Sequence, residues 1–438
     1  MALADAAFST PEMVSVFSGE NQVRQMLAFE AALARAEARL GVIPAEAADG
    51  IAAVRVEDLD LEALFNDAVP AGTLTIPLVR QLGQRVEAKY VHWGATSQDA
   101  MDTGLVLQVR QALDLLEHEL LRLGGICSTL AEQHRRTLMP GRTLLQQALP
   151  ITFGLKAARW LGLVSRQLTA LRDLRPRVLV VQFGGAAGTL ASLGADGLRV
   201  LDCLADELGL IAPELPWHAE RDRMASLAAC LGLVAGGMAK IAGDVALLAQ
   251  TEVLEVAEAA APGKGGSSTL PQKRNPVYAV EAVAAARLAV GLVPVVLAAM
   301  HQEHERAAGG WQAEWSAVPD LFRWTSGAVA RTCWALDGLD VFPDRMLANL
   351  DEMAMSESLS MALAAHLGKE RAHALIQAVT KRALSSRKSL RDAALEEAHV
   401  RSALDESAID QALDPRNYLG ATDTFIDRSL SAWRSTIA

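Results

Sequence analysis

Residues 103–125 read TGLVLQVRQALDLLEHELLRLGG, and a seven-residue repeat of apolar side chains runs through them. The apolar positions alternate in steps of three and four, which lines one face of a helix that packs against other helices. They are Val106, Val109, Leu113, Leu116, Leu120 and Leu123. The repeat predicts a long bundle helix that ends at the glycine pair Gly124-Gly125.

The same helical pattern recurs along the chain. Residues 21–41 space their apolar side chains in the same way before Gly41 and Pro44 stop the helix. The middle stretches are so rich in Ala, Leu and Gly that they need neighbours on all sides. Other copies of the chain are the simplest neighbours, and one large monomeric bundle is the alternative. Long helices are predicted at roughly 145–172, 219–258, 277–300 and 317–336.

The composition also predicts an all-α fold. Of the 438 residues, 51% are hydrophobic and only 5% aromatic, and β-branched runs are few. The composition shifts near residues 100 and 355. These shifts predict an N-terminal helical domain at 1–102, a central long-helix bundle at 103–354 and a small C-terminal helical domain at 355–438.

Charge and hydropathy exclude several classes of partner. A formal net charge of -11 is spread along the chain, which argues against nucleic acid. The N-terminus lacks a basic region followed by an apolar stretch, so a cytoplasmic protein is predicted. The most apolar windows, 231–243 and 287–300, are short or are interrupted by Lys240, Arg287 or Pro294. We interpret them as core helices and expect no membrane span.

Metal and disulfide chemistry find no support in the sequence. The four cysteines lie far apart without a CxxC pair. Histidines, cysteines and carboxylates form no cluster at the spacing of metal ligands. The sequence therefore predicts reduced thiols, no metal and no cofactor.

The segment GSSTLPQKRNP, residues 266–276, breaks the helical pattern. Its glycine and prolines, with those just before it, exclude a regular helix and predict a loop between two long helices. A flexible surface linker is one interpretation. The other is an anion-binding loop, because Lys273, Arg274 and Asn275 directly follow the two serines. A hydrolase is disfavoured, since the GxSxG elbow of a nucleophilic serine is absent.

Three blocks resemble, in the same order, the signatures of the fumarase/aspartase superfamily. They are HWGATSQDAMDT at 92–103, GRTLLQQALP at 141–150 and the loop at 266–276, which has Leu270 where methionine is usual. The resemblance covers essentially the whole chain. It is strongest to bacterial cycloisomerases of 3-carboxy-cis,cis-muconate, with adenylosuccinate lyases next. It implies three helical domains, a twenty-helix core in a homotetramer, and active sites where three subunits meet.

The resemblance also implies which residues form the site. Ser267 would transfer the proton at the carbon next to a substrate carboxylate, and Lys273 and Asn275 would hold that carboxylate as charge develops. His92 would either orient the substrate or take part in acid–base chemistry. The other implied substrate contacts are Thr96, Ser97, Arg142, Thr143, Gln146 and Arg306.

Position 144 separates two activities. Superfamily lyases that expel an amine have a histidine there that protonates the leaving group, whereas this chain has Leu144. Loss of a positioned general acid costs about 10²–10⁴-fold in rate. A lactone-forming cycloisomerase needs no such acid, because the substrate's own ionised carboxylate is the nucleophile.

The resemblance, together with Leu144, therefore implies a cycloisomerase that converts 3-carboxy-cis,cis-muconate to 4-carboxymuconolactone, in the protocatechuate branch of the β-ketoadipate pathway. The alternatives are a fumarate-releasing lyase of the adenylosuccinate lyase type and an inactive structural relative.

Residues 304–315, HERAAGGWQAEW, resemble a segment that helps to bind the nucleotide in adenylosuccinate lyase. Trp311 and Trp315 replace its serine and arginine, either as walls of a substrate site or as core packing. A small polycarboxylate is thus a better predicted substrate than a nucleotide. Residues interpreted mainly as structural are Arg223, Arg274, His218 and His304.

Overall fold

The computed structural model describes residues 3–261, 265–266, 269–270 and 272–437. Helices dominate the described chain, and its strands form two short antiparallel pairs, so the all-α prediction is confirmed. Ser267 lies outside the described residues, and its placement stays a prediction.

The helices follow one another in the order α1 Leu3–Phe8, α2 Pro11–Val16, α3 Gly19–Arg39, α4 Ala45–Ala53, α5 Leu61–Ala71, α6 Thr75–Gly83, α7 Ser97–Gln133, α8 Phe153–Val178, α9 Gly197–Leu208, α10 Asp222–Leu248, α11 Val277–Ala298, α12 Gly310–Leu336, α13 Pro343–Asn349, α14 Ser356–Leu367, α15 Lys369–Ser386, α16 Leu390–Glu396, α17 Ala398–Ala403, α18 Glu406–Leu413 and α19 Thr422–Ile437. The strands are β1 Leu138–Thr143, β2 Gln146–Thr152, β3 Val256–Ala257 and β4 Asp340–Val341. Strand β1 pairs with β2, and β3 pairs with β4.

The chain divides into two compact units, each made of three segments. Unit 1 consists of Met1–Leu121, Arg166–Lys240 and Glu281–Thr332. Unit 2 consists of Arg122–Ser165, Ile241–Val280 and Cys333–Ala438. The long helices α7, α8, α10, α11 and α12 contribute residues to both units. The three predicted domains with boundaries at 102 and 354 stay a prediction.

In unit 1, α3 packs against α4 and α9. The hydroxyl of Ser18 accepts the N–H of Asn21 at the start of α3, and Gly41 follows its end with φ +75°. The predicted apolar stripe is buried, at no more than 1% exposure for Met26, Phe29, Leu33 and Ala36.

The heptad repeat of α7 is buried as predicted. Its six apolar residues, from Val106 to Leu123, are each 0% exposed. The predicted end at Gly124-Gly125 is wrong, because α7 continues to Gln133. In unit 2 the indole of Trp433 lies 2.1 Å from where a Cβ of Gly124 would stand. Gly124 therefore makes room for a packed ring and does not end the helix.

Several other predicted bounds need correction. Residues 146–152 form β2 and are not helical, and Pro150 explains this because proline disrupts a helix interior. The helix predicted to reach 258 ends at Leu248, before the short strand β3. Helix α12 begins at Gly310, ahead of the predicted start, and contains Pro319.

Within the described ranges, two helices are long and apolar enough to cross a membrane by length and composition alone. Helix α10 has a mean hydropathy of 1.6 in its most apolar 18-residue window and α11 has 2.0. The windows expected to be too short or too interrupted for a membrane span each lie inside a longer helix, and the same length and composition are found in core helices of soluble proteins. The α10 window is 61% buried but the α11 window only 28%. The interpretation as a core helix therefore fits α10 better than α11.

Unit 2 contains a hydrophobic cluster formed by α14 to α18. Helix α14 packs against α15, and α15 packs against α16. The fully buried members include Leu359, Leu363, Val379, Leu390 and Ile409. The four cysteines all lie in the described ranges and form no disulfide there, and Cys127 and Cys333 are buried.

Candidate active site

The first predicted block forms a tight turn before α7, in unit 1. His92 has φ +57° and Gly94 has φ +72°, so the backbone passes twice through the left-handed region. Ser97 is the first residue of α7, directly after Thr96. The structure thus brings the predicted site residues His92, Thr96 and Ser97 together at the start of one helix.

A buried carboxylate holds the ring of His92. Its Nδ1 lies 2.6 Å from Oε1 of Glu30 on α3, whose side chain is 1% exposed. Burial by itself would lower the pKa of His92, but the charge of Glu30, the hydrogen bond to Glu30 and the charge of Asp99 outweigh it. The pKa of His92 is therefore raised above its ordinary value.

A second acid, Glu37, lies two helical turns after Glu30 on α3. It is 0% exposed, and neither carboxylate oxygen has a hydrogen-bond partner among the described residues. Burial and the charge of Glu30 raise the pKa of Glu37 to about 9. Glu37 is thus a neutral acid at pH 7, while Glu30 carries the charge that His92 balances.

Asp99 organises the backbone around the turn. It is 0% exposed and accepts the N–H groups of Thr96, Gly184 and Gly185 at 3.0, 3.1 and 2.9 Å. Its Oδ1 also lies 2.7 Å from Nε2 of His218, which is 4% exposed. The structural interpretation of His218 fits this geometry, because its contact is buried and satisfied.

Arg306 reaches the same block through Gln98 on α7. Its Nε donates to Oε1 of Gln98 at 3.0 Å, and its Nη2 donates to the carbonyl of Ala186 at 3.2 Å. Gln98 is 1% exposed and donates to Asp102 and to the carbonyl of His218, both at 3.0 Å. Arg306 itself is exposed, so its guanidinium is positioned without being buried.

The second predicted block forms the β1–β2 hairpin in unit 2. Thr143 pairs with Gln146, and Leu144 and Leu145 form a two-residue turn with φ of +50° and +65°. Such turns favour Asn-Gly, because both central residues have positive φ. Here two leucines hold this conformation with 96% and 73% exposure. Leu144 therefore presents an exposed apolar side chain at the tip of the hairpin.

Arg142 has a partner that the sequence did not reveal. Its Nη1 and Nη2 donate to the two oxygens of Glu255 at 2.9 and 2.6 Å. Glu255 is 0% exposed and also accepts from Nδ2 of Asn349 at 3.0 Å. The charge of Arg142 is thus balanced by a buried glutamate, which makes it a weaker carboxylate ligand than predicted.

The loop at 266–276, the serine loop, lies in unit 2, and Asn275 holds its described part. Its backbone N–H and its side-chain Nδ2 both donate to the carbonyl of Gly265, at 3.0 and 3.1 Å. Gly265 has φ +63°, and a Cβ there would stand 2.6 Å from the carbonyl oxygen of Asn275. Lys273 is exposed, and its ammonium has no ion-pair partner within the described ranges. Arg274 instead donates to Asp340 at 3.0 Å, as expected for a structural ion pair.

The tryptophans line a cavity of about 260 Å³ in unit 1. Trp311 is 4% exposed and packs edge-on against Trp315 at 5.0 Å, and its Nε1 donates to Asp102 at 3.0 Å. Trp315 is 36% exposed. Asp102, Glu314 and Asp320 line the cavity together with one cation, Arg323, so a polycarboxylate would meet more acids than cations there. Trp311 therefore follows the packing interpretation.

The predicted site residues fall into two groups within one chain. His92, Thr96, Ser97 and Arg306 lie in unit 1, whereas Arg142, Thr143, Gln146, Lys273 and Asn275 lie in unit 2. Sequence reasoning missed Glu30, Glu37, Asp99 and Glu255. One signal for Glu30 and Glu37 was present, since both acids stand seven residues apart beside the apolar stripe of α3.

Comparison with known proteins gives a consistent result. A family model described as "Lyase" matches residues 6–291, and one described as "Adenylosuccinate lyase C-terminus" matches residues 352–429. A 3-carboxy-cis,cis-muconate cycloisomerase of Pseudomonas aeruginosa is 49% identical, with 98% of this chain and 96% of the relative covered.

Two solved structures share the fold over nearly their whole length. The 3-carboxy-cis,cis-muconate lactonizing enzyme of Pseudomonas putida has a TM-score of 0.95 at 45% identity, with all of both chains covered. A fumarate lyase of Mesorhizobium sp. BNC1 has a TM-score of 0.90 at 40% identity, with 97% of this chain and 98% of the other covered.

The chain belongs to the lyase family of the fumarase/aspartase superfamily. The resemblance carried by its three sequence blocks is thereby confirmed. Within the superfamily, its near full-length similarity includes enzymes named 3-carboxy-cis,cis-muconate cycloisomerase.

Proposed function

We propose that the protein is a cofactor-independent cycloisomerase that converts 3-carboxy-cis,cis-muconate to 4-carboxymuconolactone, in the protocatechuate branch of the β-ketoadipate pathway. Leu144 is the observation that carries the choice between activities. An exposed leucine at the hairpin tip cannot protonate a leaving amine, and the lactone-forming reaction does not require that step.

The reaction moves one proton, forms one C–O bond and one C–H bond, and breaks the π bond of one C=C. A carboxylate oxygen of the substrate adds to an alkene carbon, and the C=C electron pair shifts towards the neighbouring carbon, which is α to another carboxylate. That carbon then takes a proton from Ser267, and solvent restores the proton to the serine. Lys273 and Asn275 stabilise the negative charge that develops on the adjoining carboxylate. The product is an isomer of the substrate.

The two residue groups are proposed to meet across subunits of a homotetramer. The face of α11 formed by alanines is buried, whereas its other face is exposed and apolar. The exposed residues include Val280, Leu288, Val290, Val295 and Leu297, with exposures of 39% to 57%. A surface of this kind favours association with other copies of the chain. A small polycarboxylate substrate and a cytoplasmic location complete the proposal.

Turnover of the muconate tests the proposed function. The purified protein should remove the conjugated-diene absorbance of 3-carboxy-cis,cis-muconate, and NMR should identify the lactone as product. Ser267→Ala should lower kcat by at least about 10²–10⁴-fold, because the positioned proton donor is lost. Ser268→Ala is the matched control, since it removes the neighbouring hydroxyl, and it should retain most of the activity.

The alternative activity has its own assay. Adenylosuccinate should release fumarate no faster than the uncatalysed background, because position 144 supplies no proton. Efficient fumarate release, or undiminished muconate turnover by Ser267→Ala, would contradict the proposed function.

A further inference from the structure

The proposed site has fewer unengaged cations than the substrate has carboxylates. A substrate with three carboxylates needs several cations, because unpaired carboxylates are costly to remove from water. Two arginines near the motifs are already engaged, Arg142 by the buried Glu255 and Arg274 by Asp340. Lys273 and Arg306 remain among the motif cations, which leaves one carboxylate without a matched positive group.

His92 meets the structural requirements for that positive group. It lies in the first sequence block beside Thr96 and Ser97, and its side chain is 15% exposed. Its Nδ1 is taken by Glu30 at 2.6 Å, while no partner of Nε2 occurs in the part of the chain that the structure describes. Nε2 is therefore the nitrogen left for a ligand.

The acids near His92 differ in what they contact. Glu30 on α3 contacts the ring directly, and Glu37 on the same helix is buried without a partner within the described ranges. From α7, Asp99 adds negative charge, but its own contacts are with His218, the side-chain amide of Gln182 and backbone N–H groups. Glu30 is thus the acid in direct contact with the ring of His92.

We propose that Glu30 is a positioning residue that fixes the ring of His92 and keeps it an imidazolium, so that Nε2–H binds a substrate carboxylate. The inference rests on the proposed function, because it assigns the third carboxylate of that substrate. His92 then serves as a cationic ligand whose ring is held in place by a buried carboxylate.

Titration of His92 in the ligand-free protein tests the proposal. Hydrogen–deuterium exchange at the histidine Cε1, followed by mass spectrometry, gives the midpoint of each histidine separately. In the wild type the midpoint of His92 should lie above 6.5, and Glu30→Gln should lower it by about one unit or more. The kcat/KM of Glu30→Gln on the muconate should fall about tenfold at pH 8 and much less at pH 6.

Glu37→Gln is the matched control on the same helix. An amide replaces a neutral acid of the same shape, so the midpoint of His92 and the pH profile should stay at their wild-type values. If the change at a buried glutamate acted only by disturbing the structure, the midpoint of His92 would shift in both variants. An unchanged midpoint in Glu30→Gln, or an equal shift in Glu37→Gln, would overturn the proposal.

A second variant covers the case in which Glu30→Gln does not fold. His92→Gln retains a donor but cannot be charged, so its KM should be raised at pH 6 and should lose its pH dependence between pH 6 and 8. A KM that keeps the wild-type pH dependence would contradict the role of His92. The titration is measured without substrate, so a failure of the proposed function appears in turnover and a failure of this inference appears in the titration.

Discussion

The turn at His92 and the turn at Leu144-Leu145 both hold non-glycine residues in the left-handed backbone region, and they differ in what supports them. At the His92 turn the strained residue is half-buried and its ring is bound by the buried Glu30. At the hairpin tip, Leu144 and Leu145 carry the same strain with their side chains 96% and 73% exposed. The His92 turn is supported by residues of its own unit, whereas the hairpin tip exposes its two apolar side chains to solvent.

The difference indicates which part of the site is built inside one chain. A positive φ at a non-glycine residue costs free energy and persists where the surroundings or the function require it. The His92 turn meets that requirement through Glu30 and Asp99. At the hairpin, Arg142 and Glu255 fix only the base, so the tip gains most if another subunit covers it.

The largest expected effect is at the His92 turn. Asp99→Ala removes the acceptor of several buried N–H groups and the partner of His218, and should lower the free energy of unfolding by about 3–5 kcal/mol. Urea unfolding followed by circular dichroism, at one protein concentration, measures this loss. Glu214→Ala, at a side chain 93% exposed, is the control and should change little. A change below about 1 kcal/mol for Asp99→Ala would mean that this turn is no better supported than the hairpin.

The hairpin should respond in the opposite direction. Leu144→Asn with Leu145→Gly suits a turn with two positive φ values, and should raise the stability of the chain by about 1 kcal/mol or more. The same double variant should lower kcat/KM about tenfold, because an apolar cover of the site is lost. Thermal unfolding and muconate turnover measure the two effects. A stabilised variant with full activity would show that the exposed leucines serve no function.

A further prediction concerns the pH dependence of stability. The pKa of Glu37 is about 9 in the folded protein and near its ordinary value in the unfolded chain. Between these values the folded state binds one proton more, so the stability from this group is full at low pH and is lost as the pH rises towards 9. Glu37→Gln should therefore flatten the decline of the thermal midpoint between pH 5 and pH 9. A decline equal to that of the wild type would show that Glu37 is ionised when folded.

Local sequence patterns predicted the helices well and the contacts of the site less well. The heptad repeat predicted the buried face of α7, but Gly124 could not reveal that its missing side chain accommodates Trp433, more than 300 positions along the chain. The three blocks predicted the residues of the site, and this stays a prediction. Glu30 and Glu255 stayed hidden because they meet His92 and Arg142 across 62 and 113 positions, and no local spacing reports such contacts.

Mixing of two inactive variants tests most directly whether the two regions form one site across subunits. His92→Ala disables the unit 1 group, and Ser267→Ala removes the proposed proton donor of the serine loop. Subunits of the two variants, unfolded together and reassembled, should recover about a quarter of wild-type turnover, because random assembly gives that share of sites with both groups intact. Turnover that stays at the level of the separate variants would contradict a shared site and would place both groups within one chain.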